Sequence, residues 1–175
     1  KGYEKMLKKL SKEYDFILLD CAPGFDIEAI ATMRIAGGLL LVTNPDYPSI
    51  VTAARAIEYA KNLKMPVGGL VLNKVRKKRY ELKGEDIESV LGVKLLQQIP
   101  FDKKIPESIS KKKPIVLHRP YSKSSKAYKK LVDSLLGIEK KPRFEKIRNA
   151  LKRKRKKWKG IYSPKTLTRI LLFLW

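Results

Sequence analysis

Carboxylates are scarce in this chain. Seventeen Asp and Glu stand against 40 Lys and Arg, a formal net charge of +23 over 175 residues. Cysteine is nearly absent. The one thiol, Cys21, excludes an internal disulfide and cannot by itself build a cysteine-rich zinc or iron–sulfur site. Such usage fits a reducing cytosol. The one histidine, His118, has no visible partner for catalysis or metal binding and reads as a surface or loop residue. No run of about 18 apolar residues occurs, so no segment here spans a bilayer by itself. No signal-peptide pattern opens the chain.

What is present is enough for one good core, with 43% hydrophobic residues, and a tail outside it. The basic excess is uneven. Residues 138–175 hold 14 Lys and Arg and two acids, while residues 1–137 hold 26 and 15. A fifth of the chain thus carries half the charge, which divides it into a domain (1–137) and a basic amphipathic tail (138–175). The first residue is Lys1, and a helix over Lys1–Glu13 with Tyr3, Met6, Leu7 and Leu10 at helical spacing leads straight into a strand. That opening is expected of a chain that starts partway through a domain.

Strands and helices then alternate. Asp15–Asp20 is read as a strand and Ile27–Ile35 as a helix. Leu39–Thr43 is a second strand. The next helix starts near Pro48-Ser49 with Ser49 as N-cap, and Ile50, Ala53, Ala54, Ile57, Ala60 and Leu63 form its inward stripe. Val67–Leu72 is a third strand, Glu85–Leu91 a short helix and Lys94–Ile99 a fourth strand. Ile105–Ser110 is a helical turn and Ser122–Leu136 the final helix. This order predicts an α/β fold, a doubly wound, mainly parallel sheet.

Phe16-Ile17-Leu18-Leu19-Asp20-Cys21-Ala22-Pro23-Gly24 is the most informative stretch. Four apolar residues in a row predict a strand buried on both faces. Asp20 at its exit can hold a metal-bound water beside a phosphate, and Gly24 lets the backbone approach a ligand. In a parallel sheet Asp20, Thr43-Asn44, Asn73 and Pro100 all lie at strand exits on one edge, where open α/β sheets bind ligands. Cys21 reads as a small packing residue. Arg76-Lys77-Lys78-Arg79-Tyr80 is either a solvated loop or a second phosphate-contacting one.

Together these residues make Asp15–Gly137 resemble the C-terminal part of a MinD/ParA-type deviant P-loop ATPase. Phe16–Asp20 resembles the Walker B strand and Asp20–Gly24 the Asp-x-x-x-Gly switch II segment. Thr43-Asn44-Pro45 resembles the Thr-Asn-Pro after the following strand. Val71-Leu72-Asn73-Lys74 resembles the Asn-Arg pair associated with the base. Ile99-Pro100-Phe101-Asp102 and Lys113-Pro114-Ile115-Val116 follow the family's late pattern. The likeness is nearer to archaeal MinD-like proteins than to iron–sulfur scaffold ATPases. It implies ATP and Mg²⁺ as cofactors, with Asp20 holding Mg²⁺ through a water. It also implies Gly24 near the γ-phosphate, Asn73 on the adenine edge, and Pro100, Phe101 and Asp102 flanking the base. One departure touches the switch: proline stands at Pro23, where MinD members tend to have it one residue earlier, at the position of Ala22.

The family's P-loop, Lys-Gly-Gly-x-Gly-Lys-Ser/Thr, occurs nowhere in these residues. That loop carries the backbone cradle and the lysine for the phosphates. The chain is therefore expected to be an N-terminally truncated record of such a domain, unable alone to bind or hydrolyse ATP. No catalytic residue is assigned, because in this family the water-activating residue would lie upstream.

In the tail, Phe144, Ile147 and Leu151 share a helical face, and Lys152–Lys159 holds seven basic residues in eight, with Trp158 among them. Leu167, Ile170, Leu171, Phe173, Leu174 and Trp175 make a second apolar patch. Residues 140–175 are thus read as meeting an anionic membrane surface or, on the competing reading, DNA without sequence preference. The apolar patch favours the membrane, and a solvated tail is the plain alternative. Two function classes follow. One is an ATP-driven positioning switch of cell division or partition, cytoplasmic or peripheral at the inner face of the membrane and a homodimer when nucleotide-bound. The other is a non-enzymatic basic adaptor on an α/β scaffold.

Overall fold

Leu39, Leu40 and Leu41 are at most 2% exposed, because the strand that carries them, β2 (Gly38–Thr43), lies in the middle of a sheet covered on both sides. The computed structural model describes residues 2–21, 27–137 and 169–174. Its other strands are β1 (Phe16–Asp20), β3 (Val67–Val75), β4 (Leu95–Pro100) and β5 (Arg169–Leu174). All five run parallel in the order β1-β5-β2-β3-β4.

Alternation along the strands feeds two cores, since successive side chains point to opposite faces. Leu39, Leu41, Leu70 and Leu72 pack under α2 (Ile27–Met33), α3 (Tyr47–Asn62) and α4 (Gly84–Leu91). Leu40, Val71 and Ile99 pack against Ala127 and Leu131 of α7 (Lys123–Leu135). Two short helices, α5 (Lys104–Ser110) and α6 (Ile115–His118), lead from β4 to α7, and α1 (Gly2–Leu10) precedes β1. The expected α/β architecture is thus present, and α6 adds a helix that the sequence pattern did not show.

Four details differ from expectation. Strand β1 is not buried on both faces: Phe16 is 38% and Leu18 59% exposed, while Ile17 and Leu19 are half-buried. The apolar run marks a strand, but only one of its faces reaches the core. Helix α3 is capped by Asp46, not Ser49; the Asp46 carboxylate accepts the Ser49 N–H at 3.0 Å, with Pro48 in the first turn. Its stripe runs through Ala56 and leaves Ala54 exposed. In α1, Leu7 is buried and Leu10 half-buried, but Met6 is 48% exposed.

The fourth difference is the largest. Residues 169–174, expected in the tail as part of an apolar patch, form β5 and pair with β1 on one side and β2 on the other. The boundary at residue 137 therefore does not separate all of the sheet from the tail. Residues 138–168, with the basic run Lys152–Lys159, lie outside the described residues.

Candidate functional site

The parallel strands bring Asp20, Thr43-Asn44, Asn73 and Pro100-Phe101 to one edge, as a staircase. Asp20 pairs with Phe173 of β5, which also pairs with Leu40. Asp20 is thus level with Leu40, three residues short of Thr43, or roughly 10 Å along the strand. Thr43 is level with Leu72, and Leu72 with Gln98. Asn73 and Pro100 stand above that level, so the edge rises from β1 to β4. Asp20 is exposed. Gly24 lies outside the described residues.

Past β2, Thr43 is buried and Asn44 half-buried, and the Pro45 carbonyl accepts the Leu82 N–H at 3.0 Å. That bond pins the basic loop after β3 against the exit of β2. The loop is ordered from within: the Glu81 carboxylate accepts the Arg76 N–H at 2.9–3.0 Å and the Lys78 N–H at 3.3 Å. Its basic side chains remain exposed.

The pairing of β3 with β4 shifts register between Leu72 and Val75, and Lys74 adopts φ 55° there. Such an irregularity re-aims a side chain at a strand end. Asn73, half-buried at this point, accepts the Lys74 N–H on Oδ1 at 3.0 Å, while its amide nitrogen carries two donors. The ladder resumes where the Phe101 N–H donates to the Val75 carbonyl at 2.9 Å. The Arg76 guanidinium lies 3.6 Å from the centroid of the Phe101 ring. Asn73, Arg76, Pro100 and Phe101 thus form one polar and aromatic patch.

Asp102 faces a different task. Its Oδ1 accepts the Lys104 N–H at 3.0 Å and its Oδ2 the Ser124 hydroxyl at 2.7 Å. Partial burial alone would raise its pKa, but these bonds outweigh it and hold the carboxyl below its usual range. Behind it, Ser122 caps α7 through the Ser125 N–H, and the Ser125 hydroxyl donates to the carbonyls of Ile115 and Arg119. His118 does have a partner: Nε2 lies 3.1 Å from Glu107 Oε1, which also accepts from Arg119 and Lys111.

Arg76, Glu81, Ser124 and Glu107 were not singled out in the sequence. The signals were faint: Arg76 follows Asn73 by three residues, whereas Glu107 and His118 are 11 apart with nothing local to couple them. Cys21 is half-buried and packs against the core, as expected. Among the described residues no group of three or more His, Cys, Asp or Glu could hold a metal ion. A cation bound here would draw on one carboxylate and on the ligand's own oxygens, as Mg²⁺ does beside phosphates. Among those residues no helix is long and apolar enough to cross a membrane.

A family model described as ParA, NUBPL iron-transfer P-loop NTPase, matches residues 3–136. An uncharacterized ATP-binding protein of Methanocaldococcus jannaschii is 30% identical over 145 residues, which cover 78% of this chain and 55% of the relative. The cell division ATPase MinD of Pyrococcus furiosus superposes with a TM-score of 0.71 at 31% identity, covering 78% of this chain and 57% of that one. The septum site-determining protein MinD of Pyrococcus horikoshii, solved with Mg-ADP, gives 0.69 at 32%, covering 79% and 58%. The chain spans a little over half the length of these relatives.

Proposed function

Because the chain belongs to the MinD/ParA-type P-loop NTPase family, we propose that it forms the metal-side and base-side half of an ATP site in a nucleotide-dependent positioning switch of the MinD kind. One observation carries this reading: Asp20 and the Asn73–Phe101 patch lie on one sheet edge, three to four strand spacings apart, or roughly 14–19 Å. A ligand touching both must lie across the edge, with its phosphates by β1 and its base by β3 and β4. Asp20 would hold Mg²⁺ through a water, and Gly24 would respond to the γ-phosphate. The Asn73 amide would donate to a base edge, and Pro100 and Phe101 would flank the base. Asp102 supports that flank from behind through Ser124 rather than by contact. Bound Mg²⁺ would neutralise charge on the phosphates.

The phosphate cradle is the part these residues do not contain, as no Lys-Gly-Gly-x-Gly-Lys-Ser/Thr occurs among them. A P-loop segment joined ahead of Lys1, taken from the Methanocaldococcus relative, is expected to create Mg-ATP binding measurable by calorimetry. Asp20→Ala and Asn73→Ala should each weaken that binding at least tenfold. Unchanged affinity in both variants would overturn the assignment, as would micromolar binding by the 175 residues alone. A dimer around nucleotide belongs to the same reading.

A positioning role fits better than cluster transfer, since these residues supply one thiol, half-buried at Cys21, where iron–sulfur clusters are held by several thiolates. Surface association would come from residues 140–168. With Ile170–Leu174 paired in the sheet, the apolar argument for a membrane weakens and the electrostatic one for any polyanion stays. Binding to duplex DNA and to anionic liposomes over a salt series separates the two. Failure to bind either at low salt would leave the adaptor reading without support.

A further inference from the structure

Strands β1 and β2 follow each other in the chain, joined through α2, yet they are not neighbours in the sheet. The place between them is filled by β5, more than 130 residues after α2 begins. Five residues of β5 pair with β1, from Phe16↔Arg169 to Asp20↔Phe173, and four pair with β2, from Gly38↔Leu171 to Leu41↔Leu174. Strand β1 has no other strand partner among the described residues. Its place in the sheet, and with it the position of Asp20, therefore depends on β5.

We propose that the slot between β1 and β2 is a strand-binding site, which recognises an apolar segment running parallel to both and is held in cis by the chain's own Arg169–Leu174. Two rows of backbone N–H and C=O groups face the slot, and only an extended segment pairs with both at once. The buried neighbour Leu39-Leu40-Leu41 requires that segment to be uncharged at its centre, as Ile170-Leu171-Leu172-Phe173 is. A helix or a charged strand does not meet these demands.

The slot can be filled by the chain's own strand or by the same strand from a second copy, with identical pairing. Residues 136–168 form the tether, and a tether of that length presents its end at an effective concentration on the order of millimolar. At micromolar protein the cis strand therefore wins over the copy. A strand supplied in trans enters only when the cis strand is disabled. Because all strands run parallel, any occupant delivers the residues that follow it to the edge between Asp20 and the exit of β2.

The test uses the full chain with Leu171→Asp and Phe173→Asp, which places charge in β5 and leaves β1 and β2 untouched. The probe is a fluorescent peptide of residues 165–175 with solubilising lysines. The variant should bind it saturably, at least tenfold tighter than the wild-type chain does, and should not bind the same peptide carrying the two aspartates. Equal binding by wild type and variant, or none by a variant with wild-type circular dichroism, overturns the proposal.

Should the double variant not fold, Leu174→Cys in the otherwise unaltered chain gives an independent reading. One step beyond Asp20↔Phe173, residue 174 falls opposite Cys21, within disulfide reach. Mild oxidation should close an intrachain bond at micromolar protein, and Leu171→Cys should not. Absence of the bond, or equal closure in both, overturns the cis occupancy.

Discussion

The Ser124 hydroxyl donates to Asp102 Oδ2 at 2.7 Å and ties the first turn of α7 to the exit of β4. Ser124 is fully buried, so the bond is shielded from water. Removing the hydroxyl leaves a carboxylate oxygen short of a donor, and Ser124→Ala should cost about 1.5 kcal/mol in urea unfolding.

The same carboxylate sets a pH dependence. Its folded pKa lies below the ordinary value of 3.8, so its contribution is present above that value and is lost as pH falls through the folded one. The stability gap between wild type and Asp102→Asn should be widest near neutral pH and close in acid. A gap that widens in acid would refute the assignment.

Glu107 repeats the sign at the surface. The His118 ring, then Arg119 and Lys111, hold its carboxyl down to about 2. Any stabilisation it gives is present above its ordinary 4.5 and fades as pH falls towards 2. Since the group is solvent-exposed, Glu107→Gln should shift the urea midpoint only slightly at neutral pH, and less at high salt. A large, salt-independent loss would show that the cluster does more than pair charges.

Much of the strand and helix order was legible, because apolar runs between Pro, Gly and Asn signals mark buried strands wherever both neighbours are covered. The exits at Asp20, Asn73 and Pro100 followed from that order alone. Position in the sheet was not legible. Nothing local to Ile170–Phe173 says that it pairs with Ile17 and Leu39, since strand pairing is settled by long-range contacts. The same limit hid Ser124 behind Asp102 and Glu107 behind His118. Ala56 was missed for a smaller reason: in an alanine-rich helix the stripe can be drawn one residue off without breaking its period.

Gly69 tests the close approach of β3 and β4. It holds φ 150°, and a Cβ built there would come within 2.4 Å of Leu96 Cγ. Cγ is too near the backbone to swing aside cheaply, so Gly69→Ala should cost about 1–3 kcal/mol from overpacking. Adding Leu96→Ala should recover the part due to the clash but not the part due to backbone strain. A double variant no better than Gly69→Ala would place the whole cost in the backbone.

Arg76 and Phe101 offer the sharpest division between stability and binding. Their stacked contact at 3.6 Å joins the loop after β3 to the exit of β4, and Phe101 is 39% exposed. At such an exposed site the contact is worth about 0.5–1 kcal/mol, which a double-mutant cycle of Arg76→Ala and Phe101→Ala should return as coupling in urea unfolding. In the protein joined to a P-loop segment, Phe101→Ala should also weaken ATP more than inorganic triphosphate, because only ATP brings a base to the patch. Arg76→Ala should weaken ATP less than Phe101→Ala if the arginine merely braces the ring. Equal losses for ATP and triphosphate would move the base away from β4 and leave Phe101 with a packing role alone.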